Sequence, residues 1–148
     1  MLVKDILRLK GEGLFGIGPD ALLHDAVALM VDRDIGSLVV LRDGNMAGLI
    51  TFREVLAAIK RHRGDIHEVR VGDIMVANPV VAGPEESMDE VRAVMTDQHV
   101  RYLPIVHEGR LLGILSFHDI ARAALKLANF ENKLLKQYIK NWPEEGQL

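Results

Sequence analysis

The chain has 148 residues, of which 49% are apolar and 26% are charged, and its formal net charge is −3. These proportions are typical of a folded globular protein, and a slightly acidic chain has no general attraction to nucleic acids or anionic membranes. The absence of cysteine excludes disulfides, thiol catalysis and zinc–thiolate sites.

We expect neither a signal peptide nor a membrane-spanning segment in this sequence. The first six residues carry no basic stretch followed by a long apolar run, so we expect no signal peptide. No apolar run approaches the ~20 residues that cross a bilayer. Together with the lack of cysteine, these features favour a cytoplasmic protein without membrane insertion.

Each half of the chain opens with a short helix and a brief extended segment. The pattern Val-x-Asp-Ile followed by Leu or Met predicts a helical turn at residues 3–7 and again at residues 71–75. An extended segment ending in Gly-Pro follows, at residues 14–19 and 79–84. The first half is longer here by three residues, which fall in a glycine-rich stretch.

A helix, a hairpin and a second helix complete each half. Leu22, Ala26 and Leu29 recur at helical spacing, as do Met88 and Val91 in the second half. Two apolar runs follow, divided by Asp-Gly in the first half and by Glu-Gly in the second, which indicates a β-hairpin. A closing helix then begins at a phenylalanine in each half. The predicted fold class is therefore α+β, with two repeated β-α-β-β-α units.

The two halves are copies of one unit. Residues 19–55 align with residues 84–120 without a gap, at a constant shift of 65. Such a repeat predicts a pair related by pseudo-twofold symmetry, with equivalent clefts where the copies meet. We place the first unit at residues 1–62, a polar linker at 63–70 and the second unit at 71–125.

A helical extension and tail at residues 126–148 follows the repeat, and its helix continues to about Asn141. Trp142 and Pro143 are predicted to end this helix. One of its faces carries an apolar stripe: Leu127, Phe130 (or Glu131), Leu134 and Tyr138. The stripe either packs on the chain's own core or clasps a second copy, and its length favours the second arrangement.

Each half also contains a strand-to-helix corner with the pattern Gly, two aliphatic residues, Ser or Thr, Phe, any residue, and Asp or Glu. The hydroxyl of Thr51 or Ser116 lies where a helix begins, and the N–H groups there favour a phosphate. The carboxylate of Glu54 or Asp119 is placed to accept hydrogen bonds from ribose hydroxyls. The same spacing is also an ordinary helix cap with a capping box, and both interpretations can hold together.

These motifs, in this order and twice over, resemble a tandem pair of cystathionine-β-synthase (CBS) domains, often called a Bateman module. The resemblance covers about residues 1–125 and includes the segment from His99 to Val106, His-Val-Arg-Tyr-Leu-Pro-Ile-Val. It implies a regulatory module that needs no cofactor and binds a regulatory ligand such as AMP, ADP, ATP, NAD or S-adenosylmethionine. It also implies a disc-like homodimer, and we expect a free-standing CBS-pair protein.

The resemblance further implies roles for individual residues. The ribose carboxylate falls on Asp119 and, with glutamate in place of aspartate, on Glu54, while the phosphate-side hydroxyls fall on Ser116 and Thr51. Ile114 belongs to the second corner. The adenine-side positions fall on six further residues: Phe15, Ile35, Gly36, Val80, Val100 and Arg101. Phe15 is bulkier than the family's usual aliphatic residue, which predicts a narrowed or filled cleft.

Two questions about the clefts stay open at this point. Asp119 and Ser116 face either the first copy's strands or those of their own copy. Candidates for binding phosphate charge are Arg53, His118, His99 and Arg101, and each is equally a solvated surface side chain.

Other chemistry finds little support in the sequence. The six histidines lack the spacing of metal ligands, so we predict no metal site. No nucleophile motif or paired catalytic set is present, so we predict no catalytic residues. The basic run at residues 60–63 is followed at once by acidic residues, which predicts a solvated linker and no nucleic-acid contact.

The leading hypothesis is a dimeric, cytoplasmic regulatory module without catalysis. It would bind an adenosine-containing nucleotide in clefts between its two units and signal to an unidentified partner protein. The alternative is a structural or adaptor dimer with no bound nucleotide, which clefts plugged by side chains would favour. A small enzyme is a third hypothesis, with little in the sequence to support it.

Overall fold

The computed structural model describes residues 1–11 and 13–141 of the chain. Trp142 and Pro143, which were predicted to end the last helix, lie outside the described residues. The first half forms, in order, α1 (Val3–Lys10), β1 (Gly16–Ile17), α2 (Leu23–Arg33), β2 (Ser37–Arg42), β3 (Asn45–Thr51) and α3 (Phe52–Arg61). The second half forms α4 (Val71–Ile74), α5 (Met88–Asp97), β4 (Tyr102–His107), β5 (Arg110–Ser116) and α6 (Phe117–Lys140). The predicted fold class is confirmed, including the long closing helix.

Both predicted hairpins form, and they share their turn geometry. β2 pairs antiparallel with β3, and β4 pairs antiparallel with β5. Asp43 and Gly44 have φ of 52° and 80°, and Glu108 and Gly109 have φ of 51° and 75°. Two successive residues with positive φ match the twist of the flanking strands, so these dipeptides make tight two-residue turns.

The first strand differs between the units. β1 pairs in parallel with β2, whereas its counterpart is reduced to a single bridge between Ala82 and Ile105. In the first unit the N–H of Val39 donates to the carbonyl of Phe15 at 3.3 Å. The repeat places Pro104 at the position of Val39, and proline has no N–H to donate, so the second unit loses that ladder bond.

The two short helices that open the halves are exchanged between the units. Val3 and Ile6 of α1 are buried in the core of the second unit, and the Val3 N–H donates to the Glu86 carbonyl at 2.9 Å. Val71 of α4 is buried in the core of the first unit, and its N–H donates to the Ala21 carbonyl at 2.9 Å. Each core is therefore completed by a helix from the other half. The unit boundaries proposed from the sequence, at residues 1–62 and 71–125, stay a prediction.

A small third cluster joins the units. Val39 and Leu49 of the first hairpin are buried against Ile114 of the second, and Tyr102 packs on the same cluster. The hydroxyl of Tyr102 also lies against the backbone of Gly36, and a Cβ atom at this position would clash with the hydroxyl. This seam brings the strand-to-helix corner of the second unit next to the first unit.

Candidate functional site

A cavity of about 1040 Å³ lies at the junction of the two units. Small-molecule sites commonly measure about 300–1,000 Å³, so the space suits a ligand of nucleotide size. Its described walls come from the end of α1 and the loop after it, from residues 34–37 of the first unit, and from β5 and the start of α6. The cavity is thus built from both halves of the repeat.

The cavity brings together many of the residues singled out from the sequence. Those among its lining residues are Phe15, Ile35, Gly36, Arg101, Ile114, Ser116, His118 and Asp119. The corner of the second unit therefore faces the first copy's strands, together with Arg101 of its own copy. This answers the geometric question that the sequence left open, while the role of these residues in ligand binding stays a prediction.

The remaining candidates lie outside this cavity. Val80 and Val100 pack against the hydrophobic core of the second unit. Thr51, Arg53 and Glu54 lie at the corner of the first unit, where α3 begins.

The capping interpretation is correct at both corners. The N–H of Asp119 donates to Ser116 Oγ at 3.0 Å, and the Ser116 N–H donates to Asp119 Oδ2 at 2.8 Å. The Thr51 N–H and hydroxyl both donate to Glu54 Oε1, at 2.9 and 2.7 Å. Each carboxylate is therefore held at the first turn of its helix, and only Asp119 is held there at the wall of the cavity.

Sequence reasoning missed one residue of this site, Lys10. Its ammonium lies 2.9 Å from Asp119 Oδ2 and donates to the Ile114 carbonyl at 2.6 Å. The side chains of Lys10 and Asp119 are 34% and 15% exposed. No local signal pairs two residues so far apart in the chain; the contact follows from the exchange of α1, which carries Lys10 to the second unit.

Opposing effects set the ionisation of Asp119. Burial acts to raise its pKa, but the hydrogen bond from the Ser116 N–H and the ion pair with Lys10 outweigh burial and hold the pKa of Asp119 below its ordinary value of 3.8. The carboxylate is therefore ionised at neutral pH and can accept hydrogen bonds.

We expect the Asp119 carboxyl to titrate below pH 3.8. Carbon-13 NMR of the carboxyl group measures this titration. Because the pKa is lowered by folding, the ionised carboxylate stabilises the fold above the unfolded pKa, and this stabilisation is lost as the pH falls through the folded pKa. Lys10→Met should move the titration upward, since burial then acts without the ion pair. A titration that Lys10→Met leaves unchanged would contradict this account.

Cationic side chains outnumber acidic ones around the cavity. Its lining includes the cations Arg8, Lys10 and Arg101 and the carboxylates of Asp34 and Asp119, while His118 lies in the same lining with its Nε2 3.3 Å from the Arg122 guanidinium. The guanidinium carbon of Arg33 lies 5.2 Å from the ring centroid of Phe15. The same phenylalanine packs against the first core. It lines the cavity without filling it, so the cleft is not plugged, while a narrowing by Phe15 stays a prediction.

The predicted equivalence of the two clefts is not met. Leu49, the repeat counterpart of Ile114, exchanges both backbone hydrogen bonds with Val76, at 3.0 and 2.8 Å. A side chain on Gly48 would lie 2.7 Å from the Val76 carbonyl and 2.8 Å from Met75 Sδ, so the chain itself covers this strand edge. The two edges differ because the segments beside them differ in length. The helix α4 has 4 residues, whereas α1 has 8 and is followed by the longer, glycine-rich stretch.

Within residues 1–11 and 13–141, no group of three or more His, Cys, Asp or Glu side chains is placed to hold a metal ion. No helix in this part of the chain is long and apolar enough to cross a membrane.

Comparison with known proteins agrees with this architecture. The model of the CBS domain family matches residues 3–61 and 71–126. The CBS domain-containing protein CBSX3, mitochondrial, of Arabidopsis thaliana is 29% identical over 147 residues, which is 93% of this chain and 71% of that protein.

Solved structures show the same likeness. A putative signal-transduction protein with CBS domains from Burkholderia ambifaria has a TM-score of 0.80 at 28% identity, over 85% of this chain and 95% of that one. CBSX2 in complex with AMP has a TM-score of 0.71 at 26% identity, over 86% and 98% of the two chains. Proteins with this pair of domains are regulatory modules. The chain belongs to the CBS domain family, as a tandem pair of CBS domains.

Proposed function

We propose that this chain is a regulatory module that binds an adenosine-containing nucleotide in the cavity between its two CBS units. The observation that carries the proposal is the ionised, largely buried carboxylate of Asp119 at the wall of a cavity of about 1040 Å³. A carboxylate in this setting can accept hydrogen bonds from the two ribose hydroxyls. The complex of the related CBSX2 with AMP supports the class of ligand.

The surroundings of Asp119 supply the other contacts that a nucleotide needs. Phe15 and Ile35 offer apolar surface for a purine base. Arg101 and His118 line the same cavity, and the N-terminus of α6 at Ser116 adds N–H groups that favour a phosphate. We propose the ligand to be AMP, ADP or ATP, with NAD and S-adenosylmethionine as further candidates and no cofactor required.

A ligand in this position would connect the two units, because the cavity has walls from both. Binding would favour one relative arrangement of the units over another, and a partner protein that distinguishes these arrangements would receive the signal. We therefore propose a signalling role without catalysis and an unidentified regulated protein as its recipient. The lack of cysteine and the net charge of −3 are the basis for proposing a cytoplasmic location and no nucleic-acid partner.

Isothermal titration calorimetry with AMP, ADP, ATP, NAD and S-adenosylmethionine tests the proposal. We expect at least one of them to bind with a stoichiometry near one per chain, because the edge at Leu49 is already paired with Val76. Absence of heat with all five would contradict the proposal and favour the adaptor hypothesis.

We also propose that α6 forms part of a homodimer interface. Leu127 of the predicted stripe packs against the second core, whereas Phe130 and Leu134 of the stripe are 59% and 49% exposed. Leu135 and Ile139, which lie beside the stripe, are 55% and 64% exposed. An apolar stripe of this length on a helix is typical of a protein–protein contact.

Leu134→Glu is expected to convert a dimer into a monomer, because it places a charge within the apolar stripe. Multi-angle light scattering after size exclusion should show the mass fall by about half. Lys136→Glu on the same helix is the control and should leave the mass unchanged. A wild-type chain that is monomeric at micromolar concentration would contradict the dimer.

A further inference from the structure

Lys10 occupies two of the acceptors that a nucleoside would use at this corner, Asp119 Oδ2 and the Ile114 carbonyl. Its ammonium is shared between the Asp119 carboxylate at 2.9 Å and the Ile114 carbonyl at 2.6 Å. The repeat shows that this backbone position is an acceptor on the outer edge of its strand, since the Leu49 carbonyl accepts from the Val76 N–H at 2.8 Å. A sugar whose two hydroxyls bind both carboxylate oxygens of Asp119 therefore competes with Lys10 for Oδ2.

The competition is unequal for different ligands. Neutral ribose hydroxyls would replace an ammonium as the partners of a largely buried carboxylate. The site then gives up an ion pair for hydrogen bonds in which only the acceptor is charged. A ligand that also carries phosphate offers the displaced ammonium a new anionic partner in the same cavity. Arg8 and Arg101 line that cavity too, so the surroundings already favour an anion.

We propose that Lys10 is a specificity-determining residue that selects phosphorylated nucleotides over unphosphorylated nucleosides. The ammonium stays paired with Asp119 when the ligand is an unphosphorylated nucleoside. When the ligand carries a phosphate, the ammonium leaves Asp119 and pairs with that phosphate. This inference rests on the proposed function, since it concerns the same cavity, and it adds the rule by which the site chooses its ligand. Lys10 reaches the site because the exchanged helix α1 ends there.

The experiment compares adenosine and AMP on the wild-type chain and on Lys10→Met, with dissociation constants from calorimetry. Methionine keeps most of the length of the side chain and removes the charge. We expect adenosine to bind about tenfold more tightly to Lys10→Met, because the ion pair between Lys10 and Asp119 no longer has to be broken. AMP should not gain in this way, so the preference for AMP over adenosine should fall about tenfold or more.

Lys4→Met is the matched control. Lys4 lies on the same helix and forms a similar ion pair with Glu85, at 3.2 Å, but it does not line the cavity. Its substitution should leave the preference for AMP unchanged. Lys10→Arg keeps the charge and should retain a preference for AMP close to that of the wild type.

The possible results separate this inference from the proposed function. Adenosine binding that appears or tightens in Lys10→Met supports the inference. An unchanged preference, or weaker adenosine binding, overturns it, and the proposed function stands if AMP still binds the wild type. If neither ligand binds any of these proteins, the inference is overturned, and the proposed function then depends on the titrations with the other nucleotides.

Discussion

Asp119→Ala is expected to weaken AMP binding by about tenfold and to lower the free energy of unfolding by about 1 kcal/mol. The loss of affinity follows from removing the acceptor proposed for the ribose hydroxyls, and it is moderated because Lys10 no longer has to be displaced. The loss of stability follows from removing the carboxylate that accepts from the Ser116 N–H, which is one of the two reciprocal bonds that cap α6. Calorimetry measures the affinity for AMP, and urea unfolding measures the free energy of unfolding.

Glu54→Ala separates these two effects. Glu54 holds the same position in α3 that Asp119 holds in α6, and its carboxylate accepts from Thr51 in the same way. It does not line the cavity, so its substitution should lower stability by a similar amount and leave the affinity for AMP unchanged. Equal losses of affinity in the two variants would show that Asp119 acts only through the helix cap.

The features that could be predicted from sequence are those fixed by neighbouring residues. Asp43-Gly44 and Glu108-Gly109 specify tight turns because both of their positions adopt positive φ. The spacing of Ser116 and Asp119 specifies a helix start, and the structure has one there. The repeat then requires that each local feature occur twice, which is why the order of the elements could be predicted for the whole chain.

The features that could not be predicted depend on long-range packing. The sequence shows α1 followed directly by the first unit, and nothing local indicates that Ile6 is buried in the second core. The pairing of Lys10 with Asp119 depends on that exchange, so it was equally hidden. The unequal clefts have the same origin, because they depend on how the chain continues after each exchanged helix.

The exchange of α1 predicts a large and localised loss of stability in Ile6→Ala. Ile6 is fully buried among residues of the second core, so we expect the free energy of unfolding to fall by about 2–5 kcal/mol through lost burial and the resulting cavity. Urea unfolding measures the total loss in the free energy of unfolding, and amide hydrogen exchange shows which strands are destabilised. Protection should be lost in β4 and β5 before β2 and β3, even though Ile6 precedes the first unit in the chain.

Leu9→Ala is the control for this change, because Leu9 lies on the same helix and is 52% exposed. Its substitution should change the free energy of unfolding by no more than about 0.5 kcal/mol. If Ile6→Ala instead exposed β2 and β3 first, α1 would belong to the first unit. Lys10 would then be held away from Asp119, so the hydrogen-exchange pattern also tests the geometry on which ligand selection by Lys10 depends.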